Sequence, residues 1–105
     1  MKIIVFETPE DQAAGLQHVD PIDPDTLYVF PNVPEGVEFH SRNVAEPFDI
    51  AFLTIDYRVL ASFLMKPPTA LVKALPRSAM AFEARAGNLG RWGILPGRVV
   101  SPLQL

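Results

Sequence analysis

Phe48-Asp-Ile-Ala-Phe-Leu-Thr-Ile55, FDIAFLTI, leads through Asp56-Tyr57 into Arg58-Val-Leu-Ala-Ser-Phe-Leu-Met65. Two apolar runs of strand length on either side of a short polar tip predict a β-hairpin. It is the firmest local statement the chain makes, and the neighbouring segments extend it. Upstream, Leu27-Tyr-Val-Phe30 is a compact apolar strand stopped by Pro31-Asn32, and Val37-Glu-Phe39 alternates as a half-buried strand does. Downstream, Lys66-Pro67-Pro68-Thr69 breaks the chain before another predicted strand, Ala70 to Leu75. Ala79 to Arg85 alternates weakly; its alanines and Glu83 also suit a helix, and we read a strand.

The ends follow the same pattern. Lys2 to Phe6 is a β-branched and aromatic run. After it, Thr8 as cap, Pro9 at the first helical position and Glu10 and Asp11 in the first turn predict a short helix ending near Gly15. Repeated Asp-Pro steps make Val19 to Asp25 a loop. Leu89 and Trp92, three apart, predict a short helix that Gly93 ends, with Trp92 as a core anchor. Leu95-Pro96-Gly97 reads as a turn, and Arg98 to Val100 as a last strand.

The 105 residues suit a single domain, and 49% hydrophobic against 20% charged residues excludes the composition of a disordered chain. Eleven prolines spread from Pro9 to Pro102 leave little room for long helices. The predicted fold is therefore mainly β, a small β-sandwich or partly open β-barrel with two short helices. A net charge of -3 and nine scattered Lys and Arg residues give no basic patch, so no nucleic acid is expected as partner. The absence of cysteine removes disulfides, thiolate metal sites and thiol nucleophiles. Ile3 to Phe6 is too short for a signal peptide or a membrane span. The chain as it stands reads as cytoplasmic, with an envelope location open if a leader has been removed.

Signatures of common chemistry are missing: no dinucleotide fingerprint follows a strand, no phosphate-binding loop motif occurs, and His18 and His40 lack zinc-protease spacing. Ser41, His40 and Asp49 can be written as a triad, but neighbours in an extended strand face opposite ways, so Ser41 and His40 meet poorly. We assign no catalytic residue. His18, His40, Asp49 and Glu83 are of metal-ligating type without supporting spacing, so neither a metal nor another cofactor is expected. Lys66-Pro67-Pro68 is better read as a break between strands than as a ligand motif.

The residues ahead of the hairpin arm carry a resemblance. Phe39-His-Ser-Arg-Asn43, Pro47-Phe-Asp-Ile-Ala-Phe-Leu53 and Asp56-Tyr-Arg-Val-Leu60 fall in register with FWMKNTxxPLDIxFLDxDGxVV. That is the hallmark of the domain of unknown function 192 family, which the chain resembles nearly throughout. Thr8-Pro9-Glu10 with Gly15-Leu16, Leu27 to Phe30, Glu83 to Gly87 and Gly93-Ile94 with Gly97 are similar to its other motifs. The resemblance implies a small, mostly β fold and no known reaction. Relatives often carry an export signal or lipoprotein leader. The chain departs from the hallmark at His40-Ser41, where the family has Trp-Met, at Arg42 for Lys, at Val44 for Thr and at Arg98 for an acid. The first of these changes predicts a more polar pocket wall.

His40, Ser41, Arg42, Asn43, Asp49 and Glu83 are thus the candidate ligand-binding residues, and they have two readings. In one, Asn43 and Asp49 satisfy backbone groups in an irregular connection, and Arg42 or Glu83 neutralises a charge. In the other, His40 and Arg42 offer donors to a small polar or anionic ligand while Asp49 orients the arginine. A non-enzymatic binding or accessory protein is the leading expectation. The alternative is a structural or assembly protein, a homo-oligomer or subunit of a larger complex that docks through the apolar C-terminal segment Val99 to Leu105. An enzyme comes third.

Overall fold

The computed structural model describes residues 1–101. The chain runs β1 (Lys2–Val5), α1 (Pro9–Ala14), β2 (Thr26–Phe30), β3 (Glu38–His40), β4 (Phe48–Leu53), β5 (Val59–Met65), β6 (Leu71–Lys73), β7 (Met80–Arg85) and α2 (Asn88–Arg91). One open sheet has the order β1-β2-β7-β4-β5, and β3 pairs with β6 in a separate ribbon. The expected mainly β domain with two short helices is what folds, and its sheet does not close into a barrel.

The hairpin forms as the sequence predicts. β4 and β5 pair antiparallel from Phe48 opposite Met65 to Leu53 opposite Val59, with a register shift between Phe52 and Leu53. Its arms end at Leu53 and Val59 because the intervening residues build the turn. Thr54 Oγ1 donates to the Asp56 carboxylate and accepts the Arg58 amide at 3.1 Å, and Tyr57 takes a φ of 67°.

Met80 to Arg85 is a strand, and its place between β2 and β4 explains its weak alternation. A strand covered on both faces loses the apolar-polar alternation of a half-exposed one, and five of its six residues are buried, Glu83 among them. The parallel pairing of β1 with β2 needs a crossover, which α1 and the following loop supply. Thr8 starts that helix as expected, its Oγ1 accepting the Asp11 amide at 3.0 Å.

Alternation along the strands divides the apolar residues between the two sheet faces. On the first face Tyr28, Phe30, Phe48, Ile50 and Phe52 form a core with Leu16 and Ile22, and Phe39 and Val72 of the ribbon pack against it. Phe39 sits 5.2 Å from Phe30 and 5.6 Å from Phe52 between ring centroids. On the second face Leu27, Leu53, Val59 and Phe82 pack with Leu89 and Ile94, and half-buried Trp92 lies against them. Leu89 and Trp92 do share one cluster, although α2 itself covers only Asn88–Arg91.

The last predicted strand is a correction. Arg98 to Val100 makes one isolated bridge, Arg58 to Val99, together with 2.8 Å backbone bonds from the Val59 amide to the Arg98 carbonyl and from the Gly97 amide to the Val59 carbonyl. Its partner there is the end of the hairpin turn, where no ladder continues. Of the apolar segment Val99 to Leu105 expected to dock on a neighbour, residues 102–105 lie outside the described residues. Among the described residues no helix is long and apolar enough to cross a membrane.

Candidate functional site

Period-two geometry on β7 places Ala81 and Glu83 on the first face and Phe82 and Ala84 on the second. Glu83 stands opposite Tyr28 on β2 and Ile50 on β4. It is only 3% exposed, and its Oε1 has no hydrogen-bond partner. Removal from water penalises the charged form, and burial pushes its carboxyl up to about 8.

Glu83 lines a cavity of about 310 Å³. Phe30, Phe39 and Phe48 supply aromatic walls, and Gln12, Gln17, Asn32, Glu38 and His40 supply polar ones. The turn after α1 brings Leu16 and Gln17 to this space. Gly15 makes it possible at a φ of 52°, where a side chain is strained, and a Cβ there would lie 3.6 Å from Phe30 Cζ. Gln12 is held by a 3.0 Å bond from its Nε2 to the Phe6 carbonyl, so β1 and α1 are tied at the cavity edge.

The six candidates do not form one cluster. His40, at the end of β3, lines the cavity with Glu83, and its Nδ1 accepts the Arg42 amide at 3.2 Å. Ser41 is fully buried beside it; its Oγ donates to the Lys66 carbonyl at 3.2 Å and accepts the Ala70 amide at 2.9 Å. Asn43 takes a φ of 61°, its carbonyl accepts the His18 amide at 2.9 Å, and its Nδ2 donates to Gln17 Oε1 at 3.3 Å. Ser41 and Asn43 therefore fix the corner that carries His40. Arg42 is exposed and does not line the cavity.

Asp49 lies on the other face of the sheet. Its Oδ2 accepts the Gly87 amide at 2.8 Å, just ahead of α2, where Gly87 takes a φ of 89°. Burial raises the Asp49 pKa, opposed by backbone donation from Gly87 and Leu89. No ion pair joins it to Arg42 among the described residues. Replacing Asp49 by alanine should cost about 1–2 kcal/mol in urea unfolding, because the Gly87 amide loses its acceptor. Asp49→Asn should cost less: it keeps an acceptor and removes a charge that burial disfavours. An alanine variant as stable as the parent would show that water replaces the carboxylate.

The paper triad does not assemble, since Ser41 Oγ and His40 Nδ1 are each engaged by backbone groups. No group of three or more His, Asp or Glu side chains gathers as metal ligands would, among the described residues. Sequence reasoning missed Gln12, Gln17 and Asn32 in the cavity wall: the crossover between β1 and β2 brings in Gln12 and Gln17, and the bend after β2 brings in Asn32, and both are tertiary features. The signal available in the sequence was Glu83 itself, a lone acid between Phe82 and Ala84.

An open, largely antiparallel sheet with a ribbon over one face and a carboxyl-lined, partly open cavity of about 310 Å³ between them defines a small β domain. The chain belongs to the domain of unknown function 192 family, described as Uncharacterized ACR, whose profile matches residues 1–102. It is similar to the crystal structure of a protein of unknown function from Novosphingobium aromaticivorans DSM 12444, with a TM-score of 0.78 and 26% identity over 90% of this chain and 70% of that one. It is also similar in fold to a candidate transcription regulator from Sinorhizobium meliloti 1021, with a TM-score of 0.78 and 22% identity over 98% of this chain and 82% of that one. No curated protein matches the chain.

Proposed function

We propose that the protein is a non-enzymatic binding or accessory protein that holds a small polar molecule in the cavity lined by Glu83 and His40. The observation that carries this reading is the unpartnered Oε1 of Glu83, buried and lining about 310 Å³ of space. Buried side-chain oxygens are nearly always hydrogen-bonded, and one left open at a cavity is a group a ligand can complete. The volume lies at the lower end of the usual range for small-molecule sites, and walls divided evenly between apolar and polar surface suit a small ligand with polar groups of its own. Anions are poorly served, since neither Arg42 nor any other Arg or Lys lines the cavity.

A small-molecule library screened by native mass spectrometry and thermal shift tests the reading, with Ala14→Trp as comparator. Ala14 is exposed at the cavity edge, so tryptophan there obstructs the space without entering the core. True ligands should raise the parent midpoint by several degrees and leave Ala14→Trp unmoved. Arg91→Ala, on the opposite face, should respond as the parent does. Hits that stabilise Ala14→Trp equally, or a library without hits, would count against the cavity as a binding site.

A further inference from the structure

Resting on that reading, we infer that the cavity's ligand is a compact organic cation, a primary ammonium on an apolar or aromatic body, with the ammonium seated against Glu83. Three observations converge on this class. The lining holds two carboxyl groups, Glu83 and Glu38, and no Lys or Arg. Glu38 is an exposed residue already paired across the ribbon to Lys73 at 3.7 Å, so Glu83 is the acid left open. Phe30, Phe39 and Phe48 wall the same space, and aromatic faces attract cations while their bodies take up apolar surface. A bare metal ion is not the fit, because no group of three or more His, Asp or Glu side chains gathers as metal ligands would among the described residues. An ammonium brings both charge and three N–H donors to one unpartnered oxygen.

Binding of this kind releases a proton. With the cavity empty, the Glu83 carboxyl titrates near 8, so at about pH 7 roughly one molecule in ten carries the carboxylate. The ammonium keeps its own protons, the Glu83 proton leaves to solvent, and the product is the ion pair. Apparent affinity should therefore rise about tenfold per pH unit below 8 and level off above it. Other titratable groups around Glu83 are Tyr28 on β2, Arg85 further along β7, which pairs with Glu46 at 3.1 Å, and Glu38 and His40 on β3. α1 presents Gln12 to the cavity, and β4 places Ile50 beside Glu83.

Isothermal titration of 2-phenylethylammonium, 2-phenylethanol and phenylacetate at about pH 6, 7 and 8, in buffers of different ionisation enthalpy, tests the assignment. The parent should bind the ammonium at least tenfold more tightly than the alcohol at about pH 8, with close to one proton released at about pH 6. Glu83→Gln should lose at least tenfold in affinity and all of the pH slope, whereas His40→Gln should keep the slope. If the alcohol binds as tightly as the ammonium, without proton release and sensitive to Ala14→Trp, the cation assignment is overturned and the cavity reading stands. If no probe binds the parent, or Ala14→Trp binds all of them equally, both are overturned.

Discussion

Glu83→Gln is expected to overtake the parent in stability as pH rises. The folded carboxyl titrates near 8 against an ordinary value of 4.5, and burial is the cause. A group whose pKa is raised on folding contributes its full share of stability below about 4.5 and loses it as pH climbs to 8, because the unfolded chain ionises first. The accumulated loss is about 3 kcal/mol by pH 7 and about 5 kcal/mol above pH 8. Glutamine has nearly the same shape and does not ionise, so the two proteins should match near pH 4.5 and diverge by those amounts. Urea unfolding at stepped pH reads the difference directly, and shared titrations elsewhere cancel in it. Parallel stability curves for the two proteins would mean that water reaches Glu83 and keeps it ionised.

Phe52→Ala should be nearly as severe in the opposite direction. The Phe52 ring is fully buried in β4 and lies 5.6 Å from Phe39 on the ribbon and 6.2 Å from Phe63 on β5. It is where β4 of the first core meets the ribbon and the half-exposed ring of Phe63 on β5. Truncating a buried phenylalanine removes its transfer free energy and leaves a void, a loss of about 3–5 kcal/mol. Whole domains are stable by only about 5–15 kcal/mol, so this variant should unfold at far lower denaturant. Phe52→Leu fills most of the void and should cost less than half as much. Unfolding midpoints of the two variants against the parent check the ranking; a loss below about 1 kcal/mol for alanine would show that the ribbon settles onto the sheet without this ring.

Much of the fold was legible because its punctuation is local. Thr8-Pro9 starts α1, Pro31-Asn32 follows β2, and the hairpin announces itself by two apolar arms. The parallel pairing of β1 with β2 was not legible, since it depends on a long crossover rather than on neighbouring residues. Arg98 to Val100 has a strand's composition but meets only the end of a turn.

The site was legible in its members more than in its arrangement. Asp49 and Glu83 look alike in sequence, as acids within apolar strands. Their registers differ by one: Glu83 lies opposite Ile50, so Asp49 beside it faces the other way. The parity of a single residue decides which carboxyl lines the cavity. The family motif marked the corner, yet of its two departures His40 lines the cavity while Ser41 is consumed by backbone bonds.

That parity also makes the two faces separate fields for change. Asp49 works at the start of α2, and Glu83 works on the ribbon side, with the hydrogen-bonded backbone of the sheet between them. Substitutions that share no partner tend to add. The α2 side could thus be redesigned, or worn down by drift, while the cavity keeps its chemistry.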